Sequence, residues 1–181
     1  AARKKPYFLF FNFMDTHLPY RPRHPYIREF LRSAPDRGVD RKLALKFTTD
    51  EINTKKAANE LYPRMTAADW NWLGRFYDSN IRALDEQIGA MLARLKNRGL
   101  LGNTVIVVTA DHGEFFGEGG IGGHLHSSMS DAGLRIPLIV WGPGLLTPGR
   151  IGRAVSQVDL FPSLLKLAGQ EAAVGNDGSA G

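Results

Sequence analysis

Cysteine is absent from the 181 residues, which excludes a disulfide scaffold, a thiolate metal site and any cysteine nucleophile within this chain. No apolar run comes near the roughly 18 to 20 residues that a bilayer crossing needs. The longest runs, Tyr7 to Met14 and Val105 to Ala110, are strand-sized. Wholesale disorder is excluded as well, because 43% of the residues are apolar against 23% charged, enough to bury one core. An initiator Met and a signal-peptide apolar segment are also lacking, and the far end runs out in Gly, Ala and Ser. The expectation is a piece of a longer chain with a flexible tail over 171–181.

What is present is unevenly charged. The formal net charge is +5, but residues 1–64 carry 14 Lys/Arg against 7 Asp/Glu while 65–181 carry 9 against 11. Nucleic-acid binding asks for basic residues interleaved with stacking aromatics on one face. Here Arg21, Arg23, Arg28, Arg32, Arg37, Arg41 and Lys42 scatter among prolines, so no nucleic-acid partner is expected. A solvated surface, or a basic rim that draws in an anionic substrate, is.

Pro6 to Met14 is almost continuously apolar and aromatic, which predicts a central strand covered on both faces. The prolines at 19 and 22 then take the chain out of the sheet. Residues 23–64 lack periodicity, and apart from a short helix over Tyr26 to Arg32 they predict an irregular, mobile surface excursion. A long helix is signalled from Thr66, with Asp69 completing a capping box, Leu84, Ile88, Met91 and Leu95 at helical spacing, and Gly99 as the stop. Asn103 to Ala110 predicts a second buried strand and Ile136 to Trp141 a third, while a last helix starts near Asp159 and closes at Gly169. The fold class is α/β, a mostly parallel sheet flanked by helices, joined by right-handed crossovers.

In such a sheet ligands sit outside the carboxyl ends of the strands, which selects Asp15-Thr16-His17 and Asp111-His112-Gly113-Glu114. A carboxylate and a neutral imidazole fixed at one strand end suit a divalent cation, with calcium, magnesium, manganese and zinc left open on ligand type. The glycine-rich stretch that follows returns His124 and His126 to the same edge, so three of the five histidines fall between His112 and His126. Gly117, Gly119 and Gly122 satisfy the spacing of a dinucleotide loop, but no helix pattern follows them and that reading is set aside.

Several motifs in order resemble those of bacterial, arylsulfatase-like sulfatases of the alkaline phosphatase superfamily. They are Phe10-Phe-Asn-Phe-Met-Asp-Thr-His17, Arg82-Ala-Leu-Asp-Glu-Gln-Ile-Gly89, Asn103-Thr-Val-Ile-Val-Val-Thr-Ala-Asp-His-Gly-Glu114, Leu134-Arg-Ile-Pro-Leu-Ile-Val-Trp-Gly-Pro-Gly144 and Val158-Asp-Leu-Phe-Pro-Ser-Leu-Leu165. The resemblance implies that residues 1–170 are the later part of a catalytic domain with an alkaline-phosphatase-like sheet. It implies hydrolysis of a sulfate ester, with Asp111 and His112 as metal ligands and His17 beside the leaving group. His124 or His126 would contact the sulfuryl group.

The cofactor so implied is a divalent metal, calcium first and magnesium or manganese next. The formylglycine nucleophile and the first pair of metal-binding aspartates would lie outside this chain, so the 181 residues alone are expected to be inactive. Histidine at 112 also suits a phosphonate or phosphodiester hydrolase, or a phosphoethanolamine transferase, of the same superfamily. A degenerate member that only binds anionic glycans is the non-enzymatic alternative.

Overall fold

A computed structural model describes residues 7–32, 37–49, 59–124 and 129–170. The chain divides into two compact units, residues 12–141 in one and residues 1–11 with 142–181 in the other. The larger unit is built on one helix and carries every described candidate residue.

That helix, α3 (Ala67–Asn97), follows α1 (Ile27–Leu31) and α2 (Arg41–Ala44). Its start is fixed as the sequence predicts. Thr66 Oγ1 accepts from Asp69 N at 3.3 Å, and Asp69 Oδ2 accepts from Thr66 N at 2.8 Å, a reciprocal capping box. The other carboxylate oxygen accepts from Asp40 N at 2.6 Å, and Asp40 in turn caps α2 through Leu43 N at 3.0 Å. One buried carboxylate thereby ties two helix starts together.

Burial opposes the ionisation of Asp69, but its hydrogen bonds from Thr66 and Asp40 outweigh it and hold its pKa below the ordinary aspartate value of 3.8. A lowered folded pKa contributes stability that is complete above that ordinary value and fades as pH falls through the folded one. Asp69→Ala is therefore expected to cost about 1–3 kcal/mol near neutral pH, with the gap to wild type narrowing below about pH 4. Urea unfolding of the parent protein on both sides of that boundary checks it, and a gap that widens in acid would contradict the assignment.

The core gathers on one face of α3. Trp70, Trp72, Leu73 and Phe76 pack with Leu18, Tyr20, Ile27, Leu43, Ala44, Phe47, Leu61 and Tyr62. Six of these twelve come from residues 23–64, which corrects the expectation of a surface excursion there. The segment lacks a period because its apolar residues are delivered by helical turns of three to five residues, too short for a repeat to show. Residues 33–36 and 50–58 of it, like the expected tail at 171–181, lie outside the described residues.

Four short strands are present among the described residues. β1 (Ile106–Thr109) pairs with β4 (Leu138–Trp141), and β2 (Phe115–Phe116) pairs with β3 (Gly122–Gly123); α4 (Asp131–Leu134) lies between β3 and β4 in sequence. Both pairings are antiparallel, with Ile106 opposite Trp141 and Phe115 opposite Gly123. The parallel crossover is thus not among the pairs formed, and Tyr7 to Met14 form no strand. A strand exists through its ladder partners, and the described residues offer none to that run. β1 is only half-buried and β4 is exposed along its length, where the sequence predicts burial of Asn103 to Ala110.

In the smaller unit α5 (Leu160–Leu167) follows Asp159 as expected, though the Asp159 side chain makes no capping hydrogen bond. No described helix is long and apolar enough to cross a membrane.

Candidate functional site: three imidazoles at a strand end

β1 delivers Asp111 and His112 immediately beyond its last residues, and the turn that follows admits only glycine. Gly113 N donates to Gly133 O at 2.7 Å, and an added Cβ at Gly113 would lie 1.9 Å from the carbonyl oxygen of Ala132. The next glycines serve a different purpose. The β2–β3 hairpin lies flat on the Trp70 indole, where a Cβ at Gly117 or Gly122 would fall 2.4 or 2.1 Å from ring carbons. Gly123, at φ +70°, backs onto Leu18 and turns the chain into His124. The spacing that mimics a dinucleotide loop is a seat for an indole.

His17, His112 and His124 converge. The ring centroids of His17 and His124 are 4.5 Å apart, and those of His112 and His124 are 4.4 Å apart. Each ring is anchored through the same nitrogen. His17 Nδ1 lies 2.6 Å from Leu18 O and His112 Nδ1 lies 2.8 Å from Gly113 O. A carbonyl oxygen only accepts, so Nδ1 carries the hydrogen in both rings and Nε2 is left for a ligand. His124 Nδ1 lies 3.2 Å from Glu114 Oε1.

Asp111 is open to solvent, with its side chain 90% exposed. Its Oδ1 accepts from His112 N at 3.1 Å, and Oδ2 stands 3.7 Å from His112 Nε2. Behind the histidines the electrostatics reverse. Glu114 is 7% exposed and faces Tyr20, Tyr62 and Tyr77, all held protonated by burial first and by the Glu114 charge second. Tyr62 is pushed up to about 12. The hydrogen bond that His124 donates to Glu114 raises the pKa of His124 against the opposing effect of burial, and the charges of Glu114 and Asp111 add to the rise.

The approach from the first motif is braced too. Arg23 pairs with Asp15, donates from Nε to Asn80 Oδ1 at 3.0 Å, and donates from its backbone N to Ser79 Oγ at 3.1 Å on α3. The loop bearing His17 is thereby moored to the helix that also seats the hairpin bearing His124.

Residues 1–170 match the Sulfatase family. The chain belongs to that family. A sulfatase of Formosa agariphila is 26% identical over 188 aligned positions, covering 96% of this chain and 34% of its own length. Among solved structures, a phosphonate monoester hydrolase from Silicibacter pomeroyi is 30% identical with a TM-score of 0.57, covering 88% of this chain and 30% of that one. A second, solved in complex with its substrate D-glucosamine-2-N,6-O-disulfate, is 25% identical with a TM-score of 0.55, covering 94% of this chain and 41% of that one. The chain thus spans between 30% and 41% of the length of these relatives, and its neighbours have the alkaline-phosphatase-like α/β fold.

Asp111, His112, His17 and His124 share one patch, while His126 lies outside the described residues. The pair at 111 and 112 offers one carboxylate oxygen and one imidazole nitrogen, which fits part of a divalent-cation site. Among the described residues no three such donors are placed to hold one ion together. Glu114 and the three tyrosines around it received no role from the sequence. A glutamate after a loop glycine reads as solvated, and only the placement of Tyr20, Tyr62 and Tyr77 encloses it.

Proposed function

We propose that the protein containing this chain is a metal-dependent sulfuric ester hydrolase, and that the chain supplies the later part of its catalytic centre. The observation that carries this reading is the convergence of three imidazoles, His17 and His112 anchored so that Nε2 is free, beside the Asp111 carboxylate. Asp111 and His112 would hold a divalent cation, calcium in the first instance and magnesium or manganese otherwise. When bound, that ion offsets the negative charge that spreads over the sulfuryl oxygens. His124, as an imidazolium with Nδ1 on Glu114, donates from Nε2 to one of those oxygens, and His17 gives a proton to the departing alkoxide. The formylglycine, the remaining ligands and the partners of a parallel sheet belong to parts of the protein beyond these residues, and the chain by itself is inactive.

The phosphonate monoester hydrolase among the structural relatives, together with histidine at 112, favours one second reading, hydrolysis of a phosphonate or phosphodiester. Initial rates of the parent protein on an aryl sulfate and on the matching aryl phosphonate separate the two. The sulfate is expected to be the faster substrate, and a reversed order would replace the first reading by the second. If neither ester turns over and calorimetry detects no calcium, magnesium or manganese binding, the glycan-binding alternative takes their place.

A further inference from the structure

Glu114 sits behind the three imidazoles, faced by Tyr20, Tyr62 and Tyr77 on the inner side and by His124 on the side of the site. Its side chain is 7% exposed, at the start of the β2–β3 hairpin. The hydroxyl of Tyr62 and Oε1 of Glu114 both border Gly123, at 3.4 and 3.7 Å from the position a Cβ would take there. The carboxylate is walled off from solvent, and the hydrogen bond that reaches it from the site side is the one from His124. His124 is 17% exposed and has ring neighbours on two sides, His17 and His112. Those two rings lean on backbone carbonyls, whereas His124 is held at Nδ1 by a side chain. A histidine that must present one nitrogen needs the other fixed, and a buried carboxylate is the usual means.

We infer that Glu114 is a positioning residue, whose hydrogen bond from His124 Nδ1 fixes the rotation of that ring, and the tautomer of its neutral form, so that Nε2 is the nitrogen turned toward the anionic group of the ester and donates to it once the ring is protonated. The inference rests on the sulfuric ester reading for the ester itself, but the tautomer does not depend on it.

The test uses the metal-free parent protein and nitrogen-15 NMR of its histidine side chains above neutral pH, with the His124 signals identified by their loss in His124→Gln. A free histidine side chain favours the Nε2–H tautomer, so an Nδ1–H pattern at His124 is diagnostic. Wild type is expected to show Nδ1–H. Glu114→Leu, which keeps the bulk but cannot accept, is expected to lose that pattern and to lower kcat on the better ester on the order of 10–100-fold. Glu114→Gln, whose amide oxygen still accepts, is expected to restore Nδ1–H and bring kcat back to within a few-fold of wild type. An Nε2–H pattern in wild type, or an unchanged His124 pattern in a folded Glu114→Leu protein, overturns the inference. The wild-type spectrum alone decides if Glu114→Leu does not fold. Should neither ester turn over, the hydrolase reading fails while the spectra still decide whether Glu114 sets the tautomer.

Discussion

His17→Ala in the parent protein is expected to lower kcat on an alkyl sulfate by about 10²- to 10⁴-fold, the range that general acid catalysis supplies, and to matter far less on a nitrophenyl sulfate. The difference follows from where the proton is needed. An alkoxide is a poor leaving group and gains from protonation as the bond to sulfur breaks, whereas a nitrophenolate departs without help. The anchor at Nδ1 to Leu18 O leaves Nε2 as the nitrogen able to carry that proton. The 4.5 Å separation of its ring from that of His124 would let both reach the one ester that the proposed function requires. Steady-state rates on a series of sulfates with leaving groups of graded acidity are the measurement. An equal loss across the series would mean that His17 orients the ester and does not protonate it.

Trp70→Ala should produce the largest loss of stability among single core substitutions, about 3–5 kcal/mol as for other buried aromatics cut back to alanine. Trp70 is 4% exposed and meets Phe47 and Tyr62 edge-on, with centroids 5.1 and 5.7 Å away. It is also the floor under Gly117 and Gly122. Removing the indole leaves a void that the flat hairpin cannot fill, since glycines have no side chain to move in. The damage then reaches Phe115, Glu114 and finally His124. Urea unfolding of the parent protein followed by circular dichroism measures the cost. A loss below about 1 kcal/mol would show that the hairpin is supported from elsewhere.

The elements that were legible in the sequence are those whose signals are local. Thr66 and Asp69 announce the start of α3 because a capping box is complete within four residues. The strand Ile106–Thr109 and the polar pair beyond it follow from β-branched residues meeting a carboxylate and an imidazole. What was not legible depends on partners distant in sequence. Phe47 and Tyr62 join the core by stacking on each other and meeting the Trp70 indole edge-on, contacts between residues well apart in the chain. Tyr7 to Met14 has the composition of a central strand, but composition cannot supply the neighbouring strands that would make it one. His17 was placed by motif order, yet its closeness to His124, more than a hundred positions away, is a product of Arg23 gripping α3 on one side and Trp70 seating the hairpin on the other.

The means by which the three rings are held differ in how readily they can be altered. Leu18 O and Gly113 O belong to the main chain, so every amino acid at those positions offers the same acceptor. His124 instead leans on a side chain, and a single nucleotide change at position 114 can reassign it. A lineage drifting from one anionic ester to another therefore has one adjustable ring set between two that heredity cannot easily retune.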